Sequence, residues 1–143
     1  MSFNILIVDD SSSMRAVIKK IIEISGFKMD HCYEAMNGRE ALEVLSENWV
    51  DVIISDINMP EVNGLEMLDR LQEDNLLKNI PVIIVSTEGS EERIEAVTSK
   101  GAKGFMKKPF LPEEMRRVLY DVLGVTHDGG YDSNNESIEG SDF

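Results

Sequence analysis

The sequence predicts an α/β fold in which five parallel strands alternate with five helices, a (βα)5 doubly wound domain over residues 1 to 125. Short runs rich in β-branched residues alternate with longer segments in which apolar residues recur three and four positions apart. The first, third and fourth short runs are apolar throughout rather than at every second position. Such runs are typical of strands in a parallel sheet that helices cover on both faces.

The five predicted strands are the runs ILIV (5 to 8), MDHCY (29 to 33), VIIS (52 to 55), VIIV (82 to 85) and GFM (104 to 106). A helix is predicted after each strand from the spacing of its apolar residues, and the fourth of these helices has the weakest pattern. The apolar positions are Met14, Val17, Ile18, Ile21 and Ile22 in the first helix, Ala41, Leu42 and Leu45 in the second, Leu65, Leu68 and Leu71 in the third, Ile94 and Val97 in the fourth, and Met115, Val118, Leu119 and Val122 in the fifth.

Charge and composition exclude several classes of protein. The 143 residues have the length of one ordinary domain, and their formal net charge of -13 disfavours binding to nucleic acid or to an anionic membrane surface. The single cysteine, Cys32, forms no internal disulfide, and every apolar stretch is shorter than the roughly 18 residues that a membrane span requires. We therefore expect a cytoplasmic protein whose ligands or partners are cationic.

The last segment differs from the rest of the chain. Residues 126 to 143 contain five acidic residues, no lysine or arginine, and few side chains that a core would bury. We expect an acidic, flexible C-terminal tail or a linker, in preference to an acidic regulatory segment.

Polar residues follow four of the five predicted strands. In a doubly wound sheet the carboxyl ends of the strands share one edge, and ligands bind there. These residues are Asp9 and Asp10 after the first strand, Asp56 after the third, Ser86 and Thr87 after the fourth, and Lys107 and Lys108 after the fifth.

Helix capping explains only part of this pattern. Asp10, Ser11 or Ser12 suits the cap of the first helix, yet one cap does not account for two adjacent carboxylates. Asp56 is not needed as a cap, because Asn63 and Glu66 form the capping-box pattern before the third helix.

The fourth helix likewise has its own start signal. Ser90 is followed by Glu91 and Glu92 in the first helical turn, which leaves Ser86 free for another role. Lys108 alone resembles an ordinary surface lysine, and only its place beside the carboxylates makes it a candidate site residue.

Three carboxylates at one edge repel one another unless a cation neutralises them. Mg²⁺ commonly binds one or two carboxylates and keeps a coordination position for a phosphate oxygen. An aspartate nucleophile, a metal, a lysine and a hydroxyl donor are the groups that phosphoryl transfer to a carboxylate requires. The chain has no glycine-rich phosphate loop, so we expect no nucleotide cofactor.

Four motifs resemble those of response regulator receiver domains, and within that family the single-domain chemotaxis (CheY-like) type. They are VDDSSSMR, DINMPEVNG, VSTEG and KKPF, in the order and at the spacing of the family, and the resemblance extends from residue 3 to about residue 124. It implies the flavodoxin-like strand order 2-1-3-4-5. Receiver domains are themselves among the known examples of the rule for ligand sites in doubly wound sheets, so the two expectations are not independent.

The resemblance also implies the role of each site residue. Asp56 is the phospho-acceptor, and Ser86 and Lys108 contact the phosphoryl oxygens. Mg²⁺ or Mn²⁺ is bound by Asp10, by Asp56 and by the backbone carbonyl of Asn58, with Asp9 nearby. The bond between Lys108 and Pro109 is often cis in the family.

Four positions are implied to modulate the reaction or its output. Phe105 occupies the position of the family's switch aromatic, although a plain core role is the alternative. Asn58 and Glu88 occupy the positions that affect the approach of hydrolytic water. Thr87 replaces the usual alanine or glycine, and we expect this larger side chain to slow exchange of the phosphoryl group with donors and with water.

By resemblance the protein is a signalling domain that promotes its own phosphorylation and dephosphorylation, rather than an enzyme. Its implied partners are a sensor histidine kinase, a phosphorylation-dependent target such as a flagellar switch component, and a phosphatase, with a monomer as the expected state. The output surface would lie on the fourth helix, the fifth strand and the fifth helix. Its expected members are Ile94, Val97, Lys100, Lys103, Phe105 and Lys107; their lysines suit an acidic partner, and a solvated helix face is the alternative.

Three alternatives stay open. A haloacid dehalogenase-type phosphatase would need a second acid at the position of Asn58 and a nucleophile on the first strand. A flavodoxin-like electron carrier would use the SSS run to bind the FMN phosphate. The negative charges of Asp9 and Asp10 beside that run would repel this anion. The third alternative is a receiver fragment of a longer transcriptional or enzymatic regulator.

Overall fold

The computed structural model describes residues 2–57 and 63–125, and over these ranges strands and helices alternate as the sequence predicts. Asn58 and the tail from residue 126 onward lie outside the described residues. The elements are β1 (Phe3–Val8), α1 (Ser12–Ser25), β2 (Met29–Ala35), α2 (Gly38–Glu47), β3 (Val52–Asp56), α3 (Gly64–Gln72), β4 (Val82–Ser86), α4 (Glu91–Ser99), β5 (Gly104–Lys107) and α5 (Pro112–Leu123).

The strands form one parallel sheet in the order β2-β1-β3-β4-β5, which confirms the predicted topology. Side chains alternate between the two faces of the sheet, because successive residues of a strand point in opposite directions. Ile53 packs in the core layer with residues of α2, α3 and α4, whereas Val52 and Ile54 pack in the layer with α1 and α5. The central strands therefore need apolar residues at every position.

Side-chain caps set the first residues of the helices beside the sheet edge. Asn63 accepts a bond from the backbone of Glu66 and completes the predicted capping box, and Ser90 caps α4 as expected. Ser11 is the residue that caps α1. Asp9 and Asp56 are thus not used as caps of these helices.

The strands extend past the apolar runs that predicted them. β2 continues to Ala35 rather than stopping at Tyr33, because Glu34 and Ala35 pair with Ile7 and Val8 of β1. β3 and β4 each gain one residue, which places Asp56 and Ser86 inside the sheet. Backbone pairing with a neighbouring strand decided these ends, and the side-chain pattern does not contain that information.

One surface assignment is wrong. Val97 was expected on the output surface, but it is fully buried with the core of the α2, α3 and α4 layer, while Ile94 on the same helix is partly exposed. A spacing of three residues is compatible with one helix face but does not decide how deep each side chain lies.

No helix within the described residues is both long enough and apolar enough to cross a membrane.

Candidate functional site

The carboxyl edge of the sheet brings the predicted site residues together. Asp56 ends β3 and pairs with Val85 of β4, whose next residue, Ser86, pairs with Lys107 of β5. Asp9 directly follows β1, which is the other neighbour of β3. Adjacent parallel strands of matched register therefore deliver these side chains to one place.

The three aspartates form a carboxylate cluster. One oxygen from each of Asp9, Asp10 and Asp56 lies within 4.8 Å of the others. The Nζ atom of Lys108 lies 3.6 Å from Oδ2 of Asp9 and 3.7 Å from Oδ2 of Asp56. One ammonium group is thus shared between two carboxylates, and the cluster keeps an excess of negative charge.

Asp9 is the buried member of the cluster. Its Oδ1 accepts a bond of 2.9 Å from the backbone N–H of Ser11, whereas its Oδ2 is buried without a hydrogen-bond donor among the described residues. Burial raises the pKa of Asp9 above its ordinary value of 3.8, and the Ser11 bond and the charge of Lys108 offset this only in part. Buried oxygens normally have a partner, so this oxygen suits a cation.

The donor set fits a hard divalent cation. Such ions take carboxylate oxygens, and Asp9, Asp10 and Asp56 supply three of them within one small volume. The cluster can therefore hold a metal ion. Asn58, the other predicted ligand, lies outside the described residues.

Arg15 is a site residue that sequence analysis missed. Its Nη1 donates to the backbone carbonyl of Asp9 at 2.6 Å and its Nε donates to Oε1 of Glu34 at 2.8 Å. The guanidinium thereby ties the turn that carries Asp9 and Asp10 to the end of β2. The only signal in the sequence was its place in the motif VDDSSSMR, where it could equally have been a surface residue of α1.

Gly64 brings the start of α3 against the backbone of Asp56. A Cβ atom at this position would lie 2.6 Å from the carbonyl oxygen of Asp56 and 2.9 Å from Cα of Ile57, and the N–H of Gly64 donates to the Ile57 carbonyl at 2.9 Å. Oδ1 of Asp56 in turn accepts from the N–H of Ile57 at 2.8 Å. The absence of a side chain at residue 64 thus allows the start of α3 to lie against the backbone that carries the Asp56 carboxylate.

The last residue of β4, Ser86, carries the predicted hydroxyl. Ser86 is buried, and its Oγ accepts from the N–H of Glu88 at 3.1 Å, a bond that leaves the hydroxyl hydrogen for another acceptor. Thr87 is exposed directly beside it. The carboxylate of Glu88 accepts from Arg93 at 2.9 Å, and this bond lowers the pKa of Glu88.

β5 connects the site to the surface predicted for output. The N–H of Lys108 donates to the carbonyl of Ser86 at 2.8 Å, and the Lys108-Pro109 bond is cis. Phe105 is only partly buried and packs against the core layer of α2, α3 and α4.

Among the predicted surface lysines, Lys100 is paired with both carboxylate oxygens of Asp69 on α3 at 3.1 Å. Its charge is therefore compensated within the chain.

Comparisons with known proteins show which family this chain is similar to. The sequence model of the response regulator receiver domain matches residues 5–120. A Campylobacter jejuni protein named "Chemotaxis protein CheY homolog" is 39% identical over 122 residues, which are 85% of this chain and 92% of that protein. A rice protein (Oryza sativa) named "Two-component response regulator ORR5" is 41% identical over 121 residues, 84% of this chain and 88% of its own length.

The fold also matches solved structures. The chemotaxis response regulator CheY4 of Vibrio cholerae superimposes with a TM-score of 0.76 at 34% sequence identity, over 86% of this chain and all of that one (100%).

Proposed function

The chain belongs to the response regulator receiver domain family, a family of signalling domains, and from that premise we propose that Asp56 accepts a phosphoryl group from a histidine kinase. Membership makes the protein a two-component response regulator with a histidine kinase as its general type of partner. The chemistry at Asp56 is the proposed part.

The observation that carries the proposal is the environment of the Asp56 carboxylate. It lies at the sheet edge between two further carboxylates and one ammonium group, and it is partly accessible from outside, with 17% of its side chain exposed. Its Oδ1 is engaged by the N–H of Ile57, whereas Oδ2 has the Lys108 ammonium group at 3.7 Å. An accessible carboxylate that is held in position is the nucleophile that phosphoryl transfer to an aspartate requires.

In the proposed reaction, a carboxylate oxygen of Asp56 attacks the phosphorus atom of the donor. The new bond is the P–O bond of an aspartyl phosphate, and the broken bond is the P–N bond of a phosphohistidine, whose electron pair leaves with the imidazole. With acetyl phosphate as the donor, a P–O bond breaks and acetate leaves. Lys108 and the hydroxyl of Ser86 are placed to offset the charge of the phosphoryl oxygens.

Asp9, Asp10 and Asp56 would hold Mg²⁺, or Mn²⁺, with Asn58 as a further ligand. When bound, this ion neutralises the charge that gathers on the phosphoryl oxygens. The buried Oδ2 of Asp9 supports the assignment, because it has no hydrogen-bond donor among the described residues and only the Lys108 ammonium group at 3.6 Å, so a bound cation would satisfy it. We further propose that the same groups promote hydrolysis of the aspartyl phosphate.

The output step is proposed to run from Ser86 to β5. A phosphoryl group that draws the Ser86 hydroxyl toward it would also move the Ser86 carbonyl, which accepts from the N–H of Lys108. Phe105 lies on β5, which ends directly before Lys108, and its side chain is only partly buried. The surface that responds would comprise Ile94, Lys103 and Phe105, with Lys107.

The pathway is proposed to be chemotaxis or motility control. Two of the similar proteins carry chemotaxis in their names, and the Campylobacter protein is matched over 92% of its length, as expected for a free-standing receiver. The phosphorylation-dependent target would then be a flagellar switch component, and a phosphatase would end the signal. The single cysteine fits a cytoplasmic location, and residues 126–143 would form a tail outside the receiver domain.

Incubation with Mg²⁺ and acetyl phosphate tests the proposal. Intact-protein mass spectrometry is expected to show one added phosphoryl group in the wild type and none in Asp56→Asn, which keeps the shape of the side chain. EDTA is expected to prevent the addition. A mass shift that persists in Asp56→Asn would show that the acceptor is another residue.

A further inference from the structure

A second surface lies at the opposite edge of the sheet, away from the carboxylate cluster. It is formed by the segment that leads from α2 into β3 and by the segment between α3 and β4, which together enclose a cavity of about 760 Å³. We call it the Trp49–Leu76 groove, and its apolar lining consists of Leu42, Leu45, Val50, Leu77 and Ile80, with Trp49 and Leu76 at its rim.

The two rim side chains are unusually exposed for their type. Trp49 is 77% exposed and Leu76 is 89% exposed, the two largest values among the exposed large apolar residues of the described chain. Single exposed apolar residues are ordinary, but two of them beside an apolar cavity of this size form a contiguous patch, which marks an interaction site.

Trp49 is held in place although it is exposed. Its indole N–H donates to Oδ1 of Asp51 at 3.1 Å, and its carbonyl accepts from the side chain of Asn4 at 2.9 Å. The other oxygen of Asp51 accepts from the backbone N–H of Asn4 at 2.7 Å. A tryptophan with a fixed ring loses little conformational entropy when a partner covers it, and such residues dominate binding energy in protein interfaces.

The rim charges select the kind of occupant. Two carboxylates, Glu73 and Asp74, line the groove against one arginine, Arg70. The whole chain carries a formal net charge of -13, so a second copy is repelled, and residues 126–143 contain five of its acidic side chains and no lysine or arginine. Charge complementarity thus disfavours both of these occupants and favours a cationic one.

We propose that the Trp49–Leu76 groove docks an amphipathic helical segment of a partner protein, one that presents apolar residues on one face and lysine or arginine beside them. The groove lies between the ends of two helices, and an apolar helix face in such a groove is a common mode of peptide recognition. The groove shares no residue with the Asp56 site, so we expect it to bind its partner without phosphorylation at Asp56.

The experiment uses Trp49 as its own probe, since it is the only tryptophan of the chain. The full-length protein is titrated with a designed helical peptide of leucine and lysine that lacks aromatic residues, and with a peptide in which glutamate replaces lysine. The lysine peptide is expected to give a saturable blue shift of tryptophan emission, and the glutamate peptide none. Asp56→Asn is expected to give the same titration as the wild type.

Matched variants locate the binding site. Leu76→Ser is expected to weaken binding of the lysine peptide about tenfold, as loss of an interface anchor does. Leu111→Ser removes another exposed leucine, which is 65% exposed and lies outside the groove, and this variant is expected to bind the lysine peptide as the wild type does. Glu73→Lys is expected to weaken binding through charge alone.

Three results would overturn the proposal. The first is the absence of a saturable shift with the lysine peptide. The second is an equal effect of Leu76→Ser and Leu111→Ser, which would show non-specific binding to an acidic protein. The third is a blue, quencher-protected emission in the free protein, because the chain itself would then cover Trp49.

Discussion

Replacing Asp9 with asparagine is expected to make the metal-free protein more stable and to weaken its response to Mg²⁺. The change removes one charge from the carboxylate cluster and keeps the shape of the side chain. The oxygen of the new amide still accepts from the N–H of Ser11, and its NH₂ group has neighbouring carboxylates as acceptors.

The magnitude follows from the distances in the cluster. Oxygens of Asp10 and Asp56 lie within 4.8 Å of Asp9, so each repulsion is at least about 3.5 kcal/mol at an effective dielectric constant of about 20. The Lys108 ammonium group at 3.6 Å attracts Asp9 by about 4.6 kcal/mol on the same scale. The repulsions exceed the attraction by about 2 kcal/mol, which corresponds to a rise of roughly 5 to 10 °C in melting temperature.

The sign of the pH dependence follows from the raised pKa of Asp9. Between its ordinary value of 3.8 and the higher pKa in the folded state, the folded protein binds more protons than the unfolded chain. The stability of the wild type therefore falls as pH rises through this window, and the cost stays constant above it. Asp9→Asn lacks this loss, so its advantage is expected at neutral pH and is expected to vanish when the pH falls below 3.8.

Urea unfolding in EDTA measures the metal-free stability, and the same titration with Mg²⁺ measures the linkage. A ligand that binds only the folded state stabilises it by about 2.7 kcal/mol at one hundred times its dissociation constant. We expect this gain in the wild type and a smaller gain in Asp9→Asn. Asp30→Asn is the control, because this exposed carboxylate lies outside the cluster, so its removal should change neither the repulsion there nor the response to Mg²⁺.

A variant Asp9→Asn that is less stable than the wild type in EDTA at neutral pH would refute the reasoning about repulsion. An equal gain with Mg²⁺ in both proteins would show that Asp9 has no part in holding the ion. The two outcomes are independent, so each part of the reasoning is tested by itself.

Three further substitutions test other parts of the site. Gly64→Ala is expected to cost about 2 kcal/mol of stability and to slow phosphorylation by acetyl phosphate, because its Cβ would press against the carbonyl of Asp56. The control is Gly89→Ala, whose Cβ meets only a flexible lysine side chain. Equal phosphorylation rates in the two variants would contradict this role of Gly64. Thr87→Ala is expected to speed both phosphorylation and hydrolysis, and unchanged rates in a time course of the phosphorylated mass would contradict the proposed obstruction. Arg15→Ala is expected to weaken Mg²⁺ binding about tenfold in calorimetry, as for loss of a supporting contact, while the position of Asp56 changes little. An unaltered Mg²⁺ affinity would assign Arg15 a purely structural role.

Pattern and spacing in the sequence were enough to predict several details. The apolar runs located all five strands, and the caps at Asn63 and Ser90 lie where the sequence predicts them. The gathering of Asp9, Asp56 and Ser86 at one edge was also predictable, because the parallel strands of such a sheet end on the same side. These features depend on local preference and on one rule of topology.

Other features depend on how the elements pack. The sequence contains two adjacent aspartates, and nothing in it shows that Asp9 is the buried one, with an oxygen that has no hydrogen-bond donor among the described residues. Ile94 and Val97 lie three residues apart on α4 and share the apolar pattern of that helix. Val97 is nevertheless buried in the core with residues of α3, β4 and β5, whereas Ile94 lies at the surface. The exposure of Trp49 was equally hidden, since a tryptophan near the end of a helix is compatible with a core position.

The sequence by itself determined the fold class, the order of strands and helices, and which polar residues follow the strands at the carboxyl edge of the sheet. Only the tertiary structure decided which carboxylate is buried, which backbone atoms lie against Gly64, and which carbonyl Arg15 binds. Hydrophobic periodicity and helix capping act over a few neighbouring residues, so the sequence alone shows them. Burial and charge interactions arise between residues far apart in sequence, so they exist only after the helices have packed on the sheet.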